Sequence, residues 1–183
     1  MAAIGNSAGR YGLVAVAFHW AMALLLVALT ALGLYMVALP DVGFDTRKIE
    51  LILYHKEIGM TVLLLAALRL AWRVTQVLPQ LVAHLPEWQQ VAARFVHLCF
   101  YALMFTLPLS GWLMSSAAGI PVKFLELFTL PDLIGRDDLW FHRLIAIHQA
   151  LAWALIALFV VHAGAALRHH FAFHDDTLRR MLP

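Results

Sequence analysis

Long apolar runs without charged residues dominate the sequence. Three of them contain no Asp, Glu, Lys or Arg, and they cover residues 11–40, 95–122 and 144–167. Each run exceeds the about 20 residues that a helix needs to cross a hydrocarbon core of about 30 Å. A fourth run begins near residue 49, meets the charged pair Lys56 and Glu57, and continues as IGMTVLLLAAL. The pattern therefore predicts four membrane-spanning helices.

The predicted spans lie at about 11–39, 49–73, 94–116 and 143–168. Short connections join them, so successive helices run in opposite directions. We predict an all-α integral membrane four-helix bundle with up-down-up-down topology, forming a single domain over residues 1–183. In the connection 116–143 the stretch PVKFLELF is expected to form a surface-lying turn of helix. The connection 74–94, with VLPQLVAHLPEWQQ, is expected to hold an interfacial loop with a short helix.

The composition fits a lipid environment. Hydrophobic residues make up 63% of the chain, and 13 Lys plus Arg stand against 11 Asp plus Glu, which is too apolar for a soluble core of this size. We expect no nucleic-acid partner. The single cysteine, Cys99, excludes an internal disulfide, a CxxCH haem attachment and a cysteine-ligated iron–sulfur cluster within this chain.

The basic residues suggest an orientation. An even number of spans places both termini on one face, which carries 7 of the 13 Lys and Arg residues, and the other face carries the remaining 6. The second face also holds 8 of the 11 acidic residues. We predict a multi-pass protein of the bacterial inner membrane with cytoplasmic N- and C-termini.

Histidines supply the candidate chemistry, because polar groups at membrane depth are costly and usually functional. Five lie within the spans, namely His19, His55, His97, His148 and His162. In the predicted topology His19 and His162 share the inner leaflet, whereas His55 and His148 share the outer leaflet. Since neutral imidazole is a strong iron ligand, these two depth-matched pairs predict two haems, each held by two histidines.

The spacing on the last span supports this interpretation. His148 and His162 are 14 residues apart, which returns to within about 40° of the same helix face after a rise of about 21 Å. His142 is about 160° away from His162 on the same helix. Gly59, one turn after His55, leaves room for a flat macrocycle beside its ligand.

Other interpretations of the histidines stay open. A lone intramembrane histidine often only hydrogen-bonds between helices. A non-haem metal is the sharpest alternative, although such sites usually recruit carboxylates or cysteines, which these spans lack at depth. His97 lies at the depth of His19 and His162, so it could replace one of them as ligand, pack against a haem propionate, line a quinone site, or be an ordinary interfacial histidine.

Charged and polar groups on the cytoplasmic side have two interpretations each. Arg69 and Arg73 could pair with haem propionates, but ordinary positive-inside anchoring is preferred. His169 and His170, in the tail RHHFAFHDDTLRR, could relay protons to a quinone. A solvated juxtamembrane segment is the simpler interpretation of this tail.

Several stretches together resemble a known family. They are FHW at 18–20, YHKEIGM at 54–60, VHLCFYALMFTLPLSGWLM at 96–114, the spacing of His148 and His162, and AALRHHFAFHDDTLRRMLP at 165–183. These are similar to the bacterial cytochrome b561 family of four-helix di-haem membrane cytochromes. The resemblance implies that His19, His55, His148 and His162 are the axial ligands of two b-type haems.

The resemblance also implies an activity. Members exchange electrons with the quinone pool, and in one branch superoxide gives an electron at the outer haem, which passes inward to ubiquinone. Cations attract an anionic substrate, so Lys56, Arg143 and His142 are expected at the mouth of the outer site. The main alternative is a cytochrome b anchor that passes electrons from a dehydrogenase or hydrogenase to quinone. Short loops and tails favour a protein without an obligate protein partner, and a non-redox metal or proton transporter is a third hypothesis.

Overall fold

Four long helices and a small hairpin make up the fold of this computed structural model, which describes residues 3–40, 45–80, 85–124 and 127–182. The elements are α1 (Leu13–Ala38), α2 (Thr46–Val74), α3 (Glu87–Ala118), β1 (Val122–Phe124), β2 (Phe128–Leu130), α4 (Asp138–Phe171) and a 3-10 helix (Arg179–Met181). All four α-helices are long and apolar enough to cross a membrane. The predicted four-helix membrane fold is confirmed.

The helices differ from the predicted spans at their polar ends. α3 and α4 begin at Glu87 and Asp138, ahead of the predicted starts near residues 94 and 143. Capping explains the earlier start of α4, because the Asp137 carboxylate accepts the Trp140 amide at 2.9 Å. α3 ends at Ala118 and is capped by Gly119, whose φ of +68° favours glycine. Hydropathy identifies only the lipid-embedded part of a helix, so it did not predict these polar first turns.

Helix packing follows chain order. α1 packs with α2, α2 with α3, and α3 with α4. A buried core of Met22, Val62, Ala66 and Met104 lies where α1, α2 and α3 meet. Within the described residues, α4 has little close backbone packing with α1 or α2. The rings of His55 on α2 and His148 on α4 approach each other across this space.

The helical turn expected in PVKFLELF was wrong. Its first residues form β1, and the register pairs Val122 with Leu130 and Phe124 with Phe128. Val122 is buried, whereas Lys123 is exposed, the period-two alternation of a strand. The hairpin packs against α2. For the connection 74–94, residues 81–84 lie outside the described residues, and the helix at Glu87 is the start of α3.

Hydrogen bonds tie both chain ends together at one end of the bundle, called here the terminal end. Gln76 Oε1 accepts the Asn6 amide at 3.1 Å. Arg180 donates to the Gln80 carbonyl at 2.6 Å, and Trp20 Nε1 donates to the Met181 carbonyl at 2.6 Å. The β1–β2 hairpin marks the opposite end, called here the hairpin end.

Candidate functional site: two histidine pairs along one helix

Four of the intramembrane histidines meet in two pairs. The ring centroids of His19 and His162 are 6.2 Å apart at the terminal end, and those of His55 and His148 are 6.2 Å apart at the hairpin end. α4 contributes one ring to each pair, while α1 and α2 supply the partners. The structure thus brings together the residues of each predicted pair, and their role as ligands stays a prediction.

The separation of the rings can be compared with metal coordination. Imidazole nitrogens bind first-row metals at about 2.0–2.1 Å, so two rings on opposite sides of one metal have centroids about 6 Å apart. Both pairs have this spacing, with interplanar angles of 55° and 72°. No cluster of three or more His, Cys, Asp or Glu within the described residues could hold a metal by itself. Two imidazoles suffice for haem, because the macrocycle provides the other four ligands.

The surroundings of the hairpin-end pair fit a bound cofactor. His55 Nδ1 is buried and has no hydrogen-bond partner among the described residues. His148 Nδ1 lies 2.9 Å from Ser110 Oγ. Apart from its chain neighbours and the nearby backbone of its own helix, no described atom lies within 4 Å of the point where a Cβ on Gly59 would be, so there is open space at the position where the sequence predicted it.

Two further glycines lie close to these rings. A Cβ on Gly33 would lie 3.2 Å from His55 Cε1, and a Cβ on Gly111 would lie 3.4 Å from His148 Cε1. Sequence reasoning missed both positions. The only signal was that each is a glycine within an apolar helix, where glycine is less favourable than alanine.

Replacing Gly33 with alanine is expected to loosen haem at the hairpin end. The new methyl group must push the His55 ring by a few tenths of an ångström, and such overpacking costs about 1–3 kcal/mol. For a haem held by the hairpin-end pair, as the sequence predicts, transfer to excess apomyoglobin should be faster in this variant than in wild type. Gly111→Ala is the graded comparison, and its effect should be smaller. Equal transfer rates for wild type and Gly33→Ala would contradict this expectation.

His19 of the terminal-end pair lines a cavity of about 50 Å³. Six of its lining residues are His19, Arg69, Trp72, Arg73, His97 and Tyr101. Both guanidinium carbons lie 5.7 Å from the Tyr101 ring centre. Neither arginine forms an ion pair with a carboxylate within the described residues, and Trp72 Nε1 is buried without a partner there. The cavity therefore offers two cations and a spare donor to an anionic group.

His97 stands beside the terminal-end pair as a third imidazole. Its ring centroid is 5.6 Å from that of His162, while the Phe100 ring contacts His162 from 5.2 Å. His97 also lines the same cavity as His19. The structure therefore places His97 where it could touch a cofactor or substrate held against His162.

The C-terminal tail is partly shielded, because residues 171–174 are exposed whereas His169 and Asp175 are not. His169 Nδ1 lies 2.5 Å from Asp175 Oδ2, and the two side chains are only 15% and 17% exposed. Burial raises the pKa of Asp175, but hydrogen bonds from Thr177 and His169 outweigh it, so the pKa lies below its ordinary value. His170 instead packs its ring 4.8 Å from Phe171.

The residues expected at the mouth of the outer site, Lys56, Arg143 and His142, each contact a different residue. Lys56 Nζ donates to the Pro121 carbonyl at 3.0 Å. The exposed Arg143 guanidinium lies 5.6 Å from the Trp140 ring, and the exposed His142 ring is 5.5 Å from Phe141. Lys56 also lines a cavity of about 130 Å³ with Lys123.

Comparison with known proteins places this geometry in a family. The family model for prokaryotic cytochrome b561 matches residues 10–183. Cytochrome b561 homolog 2 of Escherichia coli K12 is 36% identical, with 97% of this chain and 93% of that protein covered. Cytochrome b561 homolog 1 of the same organism is 31% identical, with 95% and 97% covered. The chain therefore belongs to the prokaryotic cytochrome b561 family, whose members bind b-type haem and carry out electron transfer in membranes.

Proposed function

We propose that this chain is a di-haem superoxide:quinone oxidoreductase of the bacterial inner membrane. The single observation that carries the proposal is that α4 presents two histidines, each facing a partner ring at 6.2 Å, near opposite ends of one membrane-spanning helix. His19 with His162, and His55 with His148, would each hold one haem. A b-type haem supplies a one-electron carrier at each end.

The charges support an anionic donor at the hairpin end. Lys56 and Arg143 lie on the helices that carry His55 and His148, near the starts of α2 and α4. Both cations lower the energy of an approaching anion. In the proposed orientation this end faces the periplasm, so superoxide produced outside the cytoplasm meets it first.

The terminal end supports quinone reduction. Arg69 and Arg73 offset the carboxylates of a macrocycle held by His19 and His162. His97 in the same cavity can hydrogen-bond a quinone carbonyl. The fixed His169–Asp175 pair, with His170 beside it, can pass protons from the cytoplasm. Two superoxide anions, one ubiquinone and two protons then give two dioxygen molecules and one ubiquinol.

The test uses purified protein in detergent with potassium superoxide and a short-chain ubiquinone. Wild type should form ubiquinol in a superoxide-dependent manner, without any other subunit. His162→Ala should still be reduced by superoxide at its remaining haem, seen in the α-band, but should form no ubiquinol. Haem-loaded wild type that superoxide does not reduce would overturn the proposal and favour an anchor that receives electrons from a partner dehydrogenase or hydrogenase.

A further inference from the structure

One hydroxyl group contacts the hairpin-end histidine pair from α3. Ser110 is 6% exposed, and its Oγ lies 2.7 Å from the Leu107 carbonyl oxygen and 2.9 Å from His148 Nδ1. The neighbouring Gly111 leaves the space into which the His148 ring fits. Gly111 therefore leaves room for the His148 imidazole, and Ser110 contacts it.

The proton positions in this contact can be assigned. A serine hydroxyl has one hydrogen to donate, and a carbonyl oxygen can only accept. The hydrogen on Ser110 Oγ therefore goes to Leu107, and Oγ must accept a hydrogen from His148. Nδ1 of His148 consequently carries the hydrogen, which leaves the lone pair on Nε2.

The other histidine of the pair has no such support. His55 Nδ1 is buried and finds no hydrogen-bond partner among the described residues. One close neighbour of its ring is Gly33, which has no side chain that could hydrogen-bond to it. Of the two rings in this pair, His148 is therefore the one that a hydrogen bond orients.

We propose that Ser110 is a positioning residue for the hairpin-end haem, because it fixes the tautomer and ring orientation of His148 so that Nε2 faces the iron. The inference rests on the proposed function, since it assumes that His148 is a ligand. A ligating imidazole that donates its other N–H becomes a more basic ligand. A more basic ligand favours ferric iron, so Ser110 keeps the midpoint potential of this haem low.

Ser110→Ala tests the inference by potentiometric titration, with low-temperature electron paramagnetic resonance as the second readout. The variant should retain two haems, but one midpoint potential should rise and one low-spin signal should shift. Haem transfer to apomyoglobin from that pair should be about 10–100-fold easier. Ser110→Thr, which keeps the hydroxyl, should return the potential toward wild type.

Ser116→Ala is the matched control on α3. Ser116 is 1% exposed, donates to the Trp112 carbonyl at 3.1 Å and accepts the Leu133 amide at 3.1 Å. Its loss should lower stability without moving either potential. Two unchanged potentials in haem-loaded Ser110→Ala would overturn the inference. Should that variant lose haem, Ser110→Cys decides instead, because a weaker acceptor of similar size should raise one potential above that of wild type, and two unchanged potentials would overturn the inference. Wild type that binds no haem would overturn the proposed function itself.

Discussion

Alanine at position 162 is expected to remove one of two haems, and alanine at position 55 to remove the other. Each change deletes one ring from a pair whose centroids lie 6.2 Å apart and leaves the second pair intact. Pyridine haemochromogen assays should give about two haems per wild-type chain and about one in each variant, as expected for two bis-histidine sites. Because His55 and His148 form one pair, His148→Ala should match His55→Ala.

His97, the third imidazole at the terminal end, allows a direct test of which ring is paired with His162. His19 and His97 both lie near His162, so only one of them can complete the terminal-end pair. His19→Ala should lose one haem, whereas His97→Ala should retain both. His170→Ala, altered outside both pairs on the same helix, is the control and should also retain two. Two haems in His162→Ala, or the reversed result at positions 19 and 97, would contradict the assignment.

The double change Arg69→Gln with Arg73→Gln is expected to lower the midpoint potential of the terminal-end haem strongly and to speed its loss. Within the described residues both cations lack a carboxylate partner beside a cavity that His19 lines. Removing positive charge near iron favours the ferric state. It also leaves the carboxylates of the macrocycle without counter-charges in a medium that solvates them poorly. Potentiometric titration and haem counting measure both effects.

Membrane anchoring alone makes a different prediction for these arginines. If they only enforce orientation, the double variant should insert less well, yet every inserted molecule should keep both potentials. Arg168→Gln controls for general loss of charge at this end, since its guanidinium lies 4.8 Å from the Phe173 ring. Unchanged potentials in the double variant would return the arginines to the anchoring interpretation.

The sequence predicts the helices and the pairing of histidines well because both depend on one coordinate, depth in the membrane. Charge-free runs define the spans, and the rise along a helix then sorts His19 with His162 and His55 with His148. Depth in the membrane does not show which residues of a neighbouring helix contact a given histidine. Ser110 and Gly111 were visible in FTLPLSGW, but their contact with His148 depends on how α3 packs against α4.

The connections were predicted less well because their structure depends on residues outside each motif. The apolar stretch PVKFLELF was interpreted as a turn of amphipathic helix. It forms a strand because it pairs with residues up to Leu130, which lies beyond the stretch. In the tail, a polar composition suggested a solvated segment and did not predict the contact between His169 and Asp175. In fact His169 is held by Asp175 six residues later, with the Asp175 carboxylate also accepting the Thr177 amide.

The 14 residues between His148 and His162 have an electrical consequence. At 1.5 Å per residue they span about 21 Å, roughly two-thirds of a hydrocarbon core of about 30 Å. Moving one charge across the whole membrane costs about 2.3 kcal/mol per 100 mV, so an electron that crosses between the pairs works against about 1.6 kcal/mol per 100 mV. In the proposed orientation the negative interior opposes this movement. If the proposed function and orientation hold, turnover is coupled to the membrane voltage and runs fastest when the cell is de-energised.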